Sequence, residues 1–416
     1  MDNNKIKNLK KRHAKEIIFQ LFGIFGIGLA TLFLLLLFGM ILSKSSSAFL
    51  QTKMALEIDL SKSAFEQNFD EETNQNLEPI NYRRLIKQAL RQKFSDAKSV
   101  SEIGASYQML SKIAALELEE QIQKQPQLLG QKNIFWLSVS SKIDVFFKHG
   151  ETANLSSLQK IWAENLVAKK ELKTFFNWNF FKLADSREPE IAGIGASLIG
   201  SFLVMIIFLG LAFPIGVMCA FYLEEFAPKN RITDIIEISI NNLAAIPSII
   251  YGLLGLTVYL QFFYLPRSSA LVGGLTLFML VLPIIIIATR NTIRSIPSAI
   301  SDAAMALGAS KMQIIWHHLL PLSIPGIMTG AILAMSRALG ETAPLLMIGM
   351  IAFIADIPQN FLDPTTVLPV QIYLWSDSPE TGFIDKTAAA ILILLGFLIL
   401  LNLIAIILRK KFERHW

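Results

Sequence analysis

Arg337 and Glu341 are the only charged residues between Leu319 and Ala355. They stand four positions apart, so a helix sets them on one face. A charge at membrane depth costs about 2.5–3.5 kcal/mol on insertion scales, and such residues mostly face a bundle interior or a water-filled cavity. A guanidinium held there presents a planar fork of donors to an oxyanion, which a lysine does not. The pair therefore reads as part of a substrate path or gate; a structural ion pair, or charges at the outer membrane interface, are the alternatives. Pro344 follows closely; it has no N–H to give and clashes one turn back, so the helix breaks just after the pair. The backbone groups freed there need polar surroundings, which a translocation path supplies. Gly326, Gly330 and Ala334 precede the pair at four-residue spacing, a stripe read as a packing face for another helix.

A second constellation is mechanical in character. Residues Ser295–Pro321 read as two short helices joined at Gly308. Pro297 suits a first helical turn, where a missing N–H goes unnoticed. Ala303, Ala304, Met305, Ala306 and Leu307 are mostly strong helix formers. Gly308 can take the left-handed conformation that closes a helix, Ser310 can cap the next, and Pro321 punctuates the start of the following span. The product is a compact, stiff unit with a small-residue face that a partner can approach closely. An ordinary helical hairpin between spans is the plainer alternative. No Gly-x-x-x-x-Gly-Lys-Ser/Thr phosphate cradle occurs in the chain, so a nucleotide-driven engine has to be a separate subunit. Metal chemistry has no constellation either: His317–His318 is the only local histidine pair, and neighbours on a helix point about 100° apart. Cys219 is the single cysteine, which rules out an intrachain disulfide.

The elements that must position these residues are membrane spans. With 53% hydrophobic and 17% charged residues and a mean hydropathy of +0.48, the chain is too apolar for an ordinary soluble protein. The first uncharged run is Ile17–Leu42, preceded by Lys5, Lys7, Lys10, Lys11, Arg12 and Lys15. Ser46-Ser47-Ala48 resembles a signal cleavage site, but the run is far longer than a signal h-region, and an uncleaved anchor with residues 1–16 in the cytoplasm is expected. Further uncharged stretches are 191–222, 238–266, 268–289, 319–336, 342–355 and 387–408. Counting 342–355 as its own span puts Arg409, Lys410, Lys411 and Arg414 outside; merging it into a broken fifth span puts them inside, as the positive-inside rule prefers. The expectation is an all-α membrane protein with six spans and both termini cytoplasmic. Between the first two spans, residues 43–190 form an extracytoplasmic domain of ordinary charge density, and residues 191–416 carry the remaining spans. Within the domain, Tyr82–Arg91 and Ser111–Gln123 have helical spacing, whereas Asn133–Phe147 is aromatic and β-branched enough for strands, so a mixed α/β insert is expected.

The loop resembles the "EAA" loop of ABC-importer permeases, with Asp302-Ala303-Ala304 in place of Glu-Ala-Ala, Gly308 at its spacing, and Leu320-Pro321 ending the pattern. Residues 242–256, 338–346 and 368–373 are similar to the phosphate-import permeases of the PstA type, and with the loop they run through most of 191–409. The resemblance implies a permease fold in the cytoplasmic membrane of a bacterium, importing inorganic phosphate. It implies that Asp302, Ala303, Ala304, Gly308 and Pro321 couple to an ATPase, and that Arg337 and Glu341, with Ser248 and Thr342 in the same motifs, belong to the path or gate. The implied partners are a second homologous permease, two copies of an ATPase that holds the ATP, and a periplasmic phosphate-binding protein; the chain itself needs no cofactor and is not an enzyme. The long 43–190 segment departs from the shorter members and resembles a variant with an enlarged first periplasmic segment. Sulfate, molybdate or tungstate as cargo, a membrane-anchored sensor, and a self-contained channel or secondary transporter are the rival readings. A sensor needs a larger cytoplasmic output domain than these loops provide.

Overall fold

The computed structural model describes residues 3–61, 81–150, 155–350 and 353–412. Its first element, α1 (Asn3–Ala48), is one unbroken helix that contains the whole Ile17–Leu42 run. A helix satisfies its own backbone groups, which is what lets an isolated segment of this kind stand in lipid.

A unit with its own core follows. Strand β1 (Leu50–Asp59) leads to helices α2 (Tyr82–Lys93), α3 (Val100–Tyr107) and α4 (Ala114–Lys124), strand β2 (Lys132–Ser138), helices α5 (Ser141–His149) and α6 (Ser157–Ala168), and strand β3 (Leu172–Phe176). The strands make an antiparallel sheet in the order β2-β1-β3, with Leu56 opposite Phe135 and Thr52 opposite Thr174. Alternation in β1 sends Met54, Leu56 and Ile58 to one side, where Leu85 and Leu90 of α2, Leu118 of α4 and Trp162 of α6 join them. Each such buried side chain contributes about 1.5–3 kcal/mol. The helices start where the sequence offers caps: Asn81 accepts from Arg84 N–H at 3.1 Å, and Ser99–Glu102 and Ser156–Gln159 form capping boxes.

The strand expectation for Asn133–Phe147 is half corrected. Pairing stops at Ser138, and residues 141–149 are helical, closed by Gly150 at φ +72°. The carboxylate of Asp144 on α5 accepts the Thr52 N–H of β1 at 3.0 Å, taking a donor that a longer β2 would have used. Ile143 and Val145 still reach buried positions, so tertiary packing overrides local β-propensity here.

The short α7 (Asn179–Lys182) leads into the apolar bundle. Five helical runs among the described residues are long and apolar enough to cross a membrane: Lys15–Ala48, Gly195–Phe226, Ala270–Ser295, Lys311–Gly340 and Gly382–Lys411. They contain α1, α8 (Gly195–Phe221), α11 (Ala270–Ser295), α14 (Leu320–Gly340) and α17 (Gly382–Phe412). A single straight span over 238–266 is not what forms. The region is α9 (Arg231–Ala245) and α10 (Ser248–Gly255), the latter continued by a wider helical turn to Phe262, and the two arms meet at 100°. Pro247 drives its predecessor out of the helical region, and Ile246 sits at φ −65°, ψ +135°. The same Ile-Pro-Ser triplet recurs at 296–298 and makes the same corner between α11 and α12 (Ser298–Ala306).

Helix α11 is the centre of the bundle, packed against α8 and α14. The small-residue stripe does what packing requires: a Cβ added at Gly330 stands 2.5 Å from Ala288 Cβ, so only glycine admits this approach of α14 to α11. Among the described residues, the stretch 342–355 holds only the five-residue α15 (Ala343–Met347), far short of a crossing, and the chain turns at Gly349. Residues 351 and 352 lie outside the described residues. After α16 (Leu368–Ser376), α17 runs beside α1 and α14.

Candidate functional site

The loop between α11 and α14 folds as two short helices about a glycine. α12 ends at Ala306, Gly308 takes φ +84°, and Ser310 caps α13 (Lys311–Ile314). The cap is reciprocal, with Ser310 N–H donating to Gln313 Oε1 at 2.8 Å and Gln313 N–H to Ser310 Oγ at 3.4 Å. Two details differ from expectation. Pro297 occupies the cap position of α12 instead of its first turn. Pro321 does not interrupt the chain: a π-turn over Ile315–Leu319 widens the helix just ahead of it, and α13 passes through that turn into α14. Asp302 and Ala303 are exposed and Ala304 is buried beneath them. Leu307 is 90% exposed and projects with Met305 and Met312, so the loop ends in an apolar tip beside a carboxylate.

Behind the tip lies a charge cluster that the sequence reading missed. Arg290 and Arg294 occupy successive turns of α11, Glu224 lies in the turn after α8, and Glu237 is on α9. Arg290 Nε donates to Glu224 Oε1 at 2.6 Å and its Nη2 reaches Glu237. Arg294 Nη2 meets Glu224 Oε1 at 2.9 Å. Arg290 is 5% exposed, so its charge depends on these partners. From the other side, Lys311 Nζ donates to the Glu225 carbonyl at 2.9 Å. The loop, the α8 turn, α9 and α11 are thereby tied at one place.

The proposed path residues lie at the far end of α14. Arg337 is in its last turn, but Glu341 stands just past the helix in extended conformation, so the pair does not share a helical face. Nε to Oε1 is 3.9 Å, a loose contact, and the side chains are 41% and 26% exposed. The guanidinium is left with donors to offer. Thr342 precedes α15 and Ser248 opens α10; among the described residues neither hydroxyl has a protein partner. Those two short helices touch: a Cβ at Gly252 stands 2.7 Å from Pro344 Cα. Tyr251 braces the bend by donating to the Leu243 carbonyl at 2.6 Å, satisfying a group freed at the end of α9. The third similar stretch is seated on α8, where Leu368 N–H donates to Ser201 Oγ at 2.8 Å. Two segments far apart in sequence, α10 and α15, thus meet at the break after Arg337.

Residues 212–416 match the family described as binding-protein-dependent transport system inner membrane component, and residues 6–157 match a domain of unknown function, DUF3333. The probable ABC transporter permease protein YqgI of Bacillus subtilis is 32% identical over 225 residues, covering 50% of this chain and 75% of its own. This chain belongs to the ABC transporter permease family. The phosphate transport system permease protein PstA of Haemophilus influenzae is 32% identical over 214 residues, with 51% of this chain and 74% of that protein covered. A chain of the MetNI methionine ABC transporter overlays on 53% of this permease and 95% of itself, at 17% identity and a TM-score of 0.40. The permease is a multi-pass membrane transport subunit and not an enzyme, and its first segment is additional to the part shared with these relatives.

Proposed function

We propose that the chain is the membrane-spanning subunit of an ATP-driven importer that moves inorganic phosphate into the cell. The observation that carries the reading is Arg337: a loosely paired, part-exposed guanidinium at the end of α14, beside the place where α10 and α15 meet. Relatives named as phosphate transport system permeases support the cargo. Six spans follow if the bent α9–α10 pair crosses once, with both termini and the Ser295–Pro321 loop cytoplasmic and residues 43–190 outside as a mixed α/β insert. Two copies of a separate ATPase, a second homologous permease and a periplasmic phosphate-binding protein complete the machine.

In this reading the ATPase grips the tip formed by Asp302, Ala303 and Leu307 and displaces it when it closes. The Gly308 turn fixes the angle between α12 and α13, and the Lys311–Glu225 bond and the Arg290 cluster pass the displacement to α8, α9 and α11. α14 continues directly from α13, so the same push reaches Arg337. Ser248 and Thr342 line the path beside it.

Uptake by the complete assembly in liposomes tests this. Arg337→Gln abolishes phosphate uptake, and Arg337→Lys restores part of it, because an ammonium lacks the planar fork. The double variant Arg337→Gln, Glu341→Met assembles yet transports nothing. Uptake near wild type in that double variant reduces the pair to scaffolding. Competition by sulfate, molybdate or tungstate stronger than by phosphate reassigns the cargo.

A further inference from the structure

A row of aromatic rings, three of them exposed and Phe49 half-buried, marks the rim where the sheet-bearing unit meets the bundle. Phe49 stacks on Phe181 with centroids 6.0 Å apart, Phe181 on Phe176 at 6.1 Å, and Phe176 meets Trp178 edge-on at 4.7 Å. Trp178 is 64% exposed, and Phe176 and Phe181 are also open. The row is rigidly placed. Asn177 N–H donates to the Phe49 carbonyl at 2.8 Å, and its amide donates to the Ala48 carbonyl that ends α1. The neighbouring Phe180 points the other way and is fully buried, against Trp375 at 6.3 Å. α7 therefore plugs one phenylalanine into the bundle and leaves the next outside.

The height of this row can be read from α17. Its uncharged stretch 387–408 spans about 32 Å at 1.5 Å per residue, close to the roughly 30 Å of bilayer hydrocarbon. Asp385 and Lys386 mark one edge of that stretch, and Ser47 Oγ donates to Asp385 Oδ2 at 2.6 Å. Ser47 is thus level with the hydrocarbon edge, and Phe49, Phe176, Trp178 and Phe181 sit just beyond it, at headgroup depth. Laterally the row flanks the end of α1, which leans on α17 and is exposed over residues 15–40, so the row faces outward from the bundle. Exposed Lys44, Lys173 and Lys182 lie within a few residues of it in sequence. Phenylalanine and tryptophan flanked by lysine suit the interface, where rings meet acyl chains and ammonium groups meet phosphates.

We propose that this aromatic row is a membrane-interface anchor, by which the sheet-bearing unit is held down on lipid headgroups beside α1. The occupant is the lipid interface, and the proposal does not depend on which anion is carried. Interfacial burial holds the unit at fixed tilt over the bundle.

The test uses full-length chain carrying Cys219→Ser and Trp178→Cys, spin-labelled and embedded in nanodiscs of zwitterionic and anionic lipid, alone and in the complete assembly. Val100→Cys, at a position 89% exposed, serves as the aqueous reference. Collisions with oxygen exceed those with a water-soluble nickel chelate severalfold at position 178, while the order reverses at position 100. Phe176→Cys in the same background gives the same ordering, which guards against a local effect of losing the tryptophan. Chelate access at 178 and 176 equal to that at 100 overturns the proposal. Loss of both collision rates only when the partner subunits are added also overturns it, and assigns the row to a protein interface.

Discussion

Replacing Gly308 by valine isolates the one turn on which the loop's geometry rests. The residue sits at φ +84°, and a Cβ built there meets nothing within 4 Å. No neighbour has to move, so the cost is the backbone conformation itself, about 1–2 kcal/mol for an L-residue in the left-handed region. Valine lies at the upper end because of its branched Cβ. A penalty of that size is a factor of roughly 5–30 in the ratio of the native turn to its alternatives. The variant's chain relaxes to negative φ, which re-aims α13 and strips Lys311 from the Glu225 carbonyl. Phosphate uptake by the reconstituted assembly then falls by about 5–30-fold, while ATP hydrolysis by the partner subunit persists. Gly308→Asn is the control, since asparagine tolerates positive φ, and it transports within about threefold of wild type. Unfolding temperature separates uncoupling from loss of fold. Wild-type coupling in the valine variant refutes the reasoning. So does an equal fall in the asparagine variant, because the left-handed turn is then not what matters.

Arg290→Met removes the buried partner of Glu224 and Glu237, leaves them only the exposed Arg294, and destabilises the permease by up to about 3–5 kcal/mol, seen as a lowered melting temperature; an unchanged melting temperature removes the cluster from the fold's support. Burial pushes the partly exposed Glu190 carboxyl above the usual carboxylate range, reinforced by Glu188 and opposed by Lys386. The folded state then holds the proton more tightly than the unfolded one, so stability falls as pH rises from the ordinary carboxylate value through the raised one. Glu190→Gln removes that slope, and its melting temperature relative to wild type climbs across this window; parallel curves contradict the assignment. The chain purified free of its ATPase hydrolyses no ATP, because it has no phosphate cradle, and turnover in such a preparation defeats the need for a partner.

How much of this could be read beforehand depended on the range of the cause. Gly308 and Ser310 act within a few residues, and both their left-handed turn and their cap are where local rules put them. Period-two alternation at Met54, Leu56 and Ile58 is an equally local strand signal. Asn133–Phe147 was misjudged in its second half because what ends β2 is Asp144 reaching back to Thr52, a contact 92 residues long. The 100° bend escaped because hydropathy records how apolar a stretch is and carries no direction; Pro247 inside 238–266 was the usable sign. Arg290 and Arg294 stand at the end of an apolar run, where basic residues give no sign of a buried partner. Their partner Glu224 lies 66 and 70 residues away, and nothing in a linear pattern joins them. The Arg337–Glu341 pair was found by its isolation, but the helix stops at Gly340, and that changes an expected face-sharing pair into a loose one.

The clasp between α1 and α17 joins a helix made early to one made much later. At 5–20 residues per second, roughly half a minute passes between the completion of α1 and the appearance of α17. During that wait α1 has only lipid for company, and a single unpaired charge between Ile17 and Leu42 would weaken its hold. β1 faces the same delay, since it is made first yet lies between β2 and β3. Its two open edges are a hazard until both later strands arrive. The order of manufacture therefore asks the first fifty-nine residues to be stable as a lone helix and patient as a lone strand, and it accounts for the uninterrupted apolar run of α1 as a requirement of biogenesis as much as of the finished transporter.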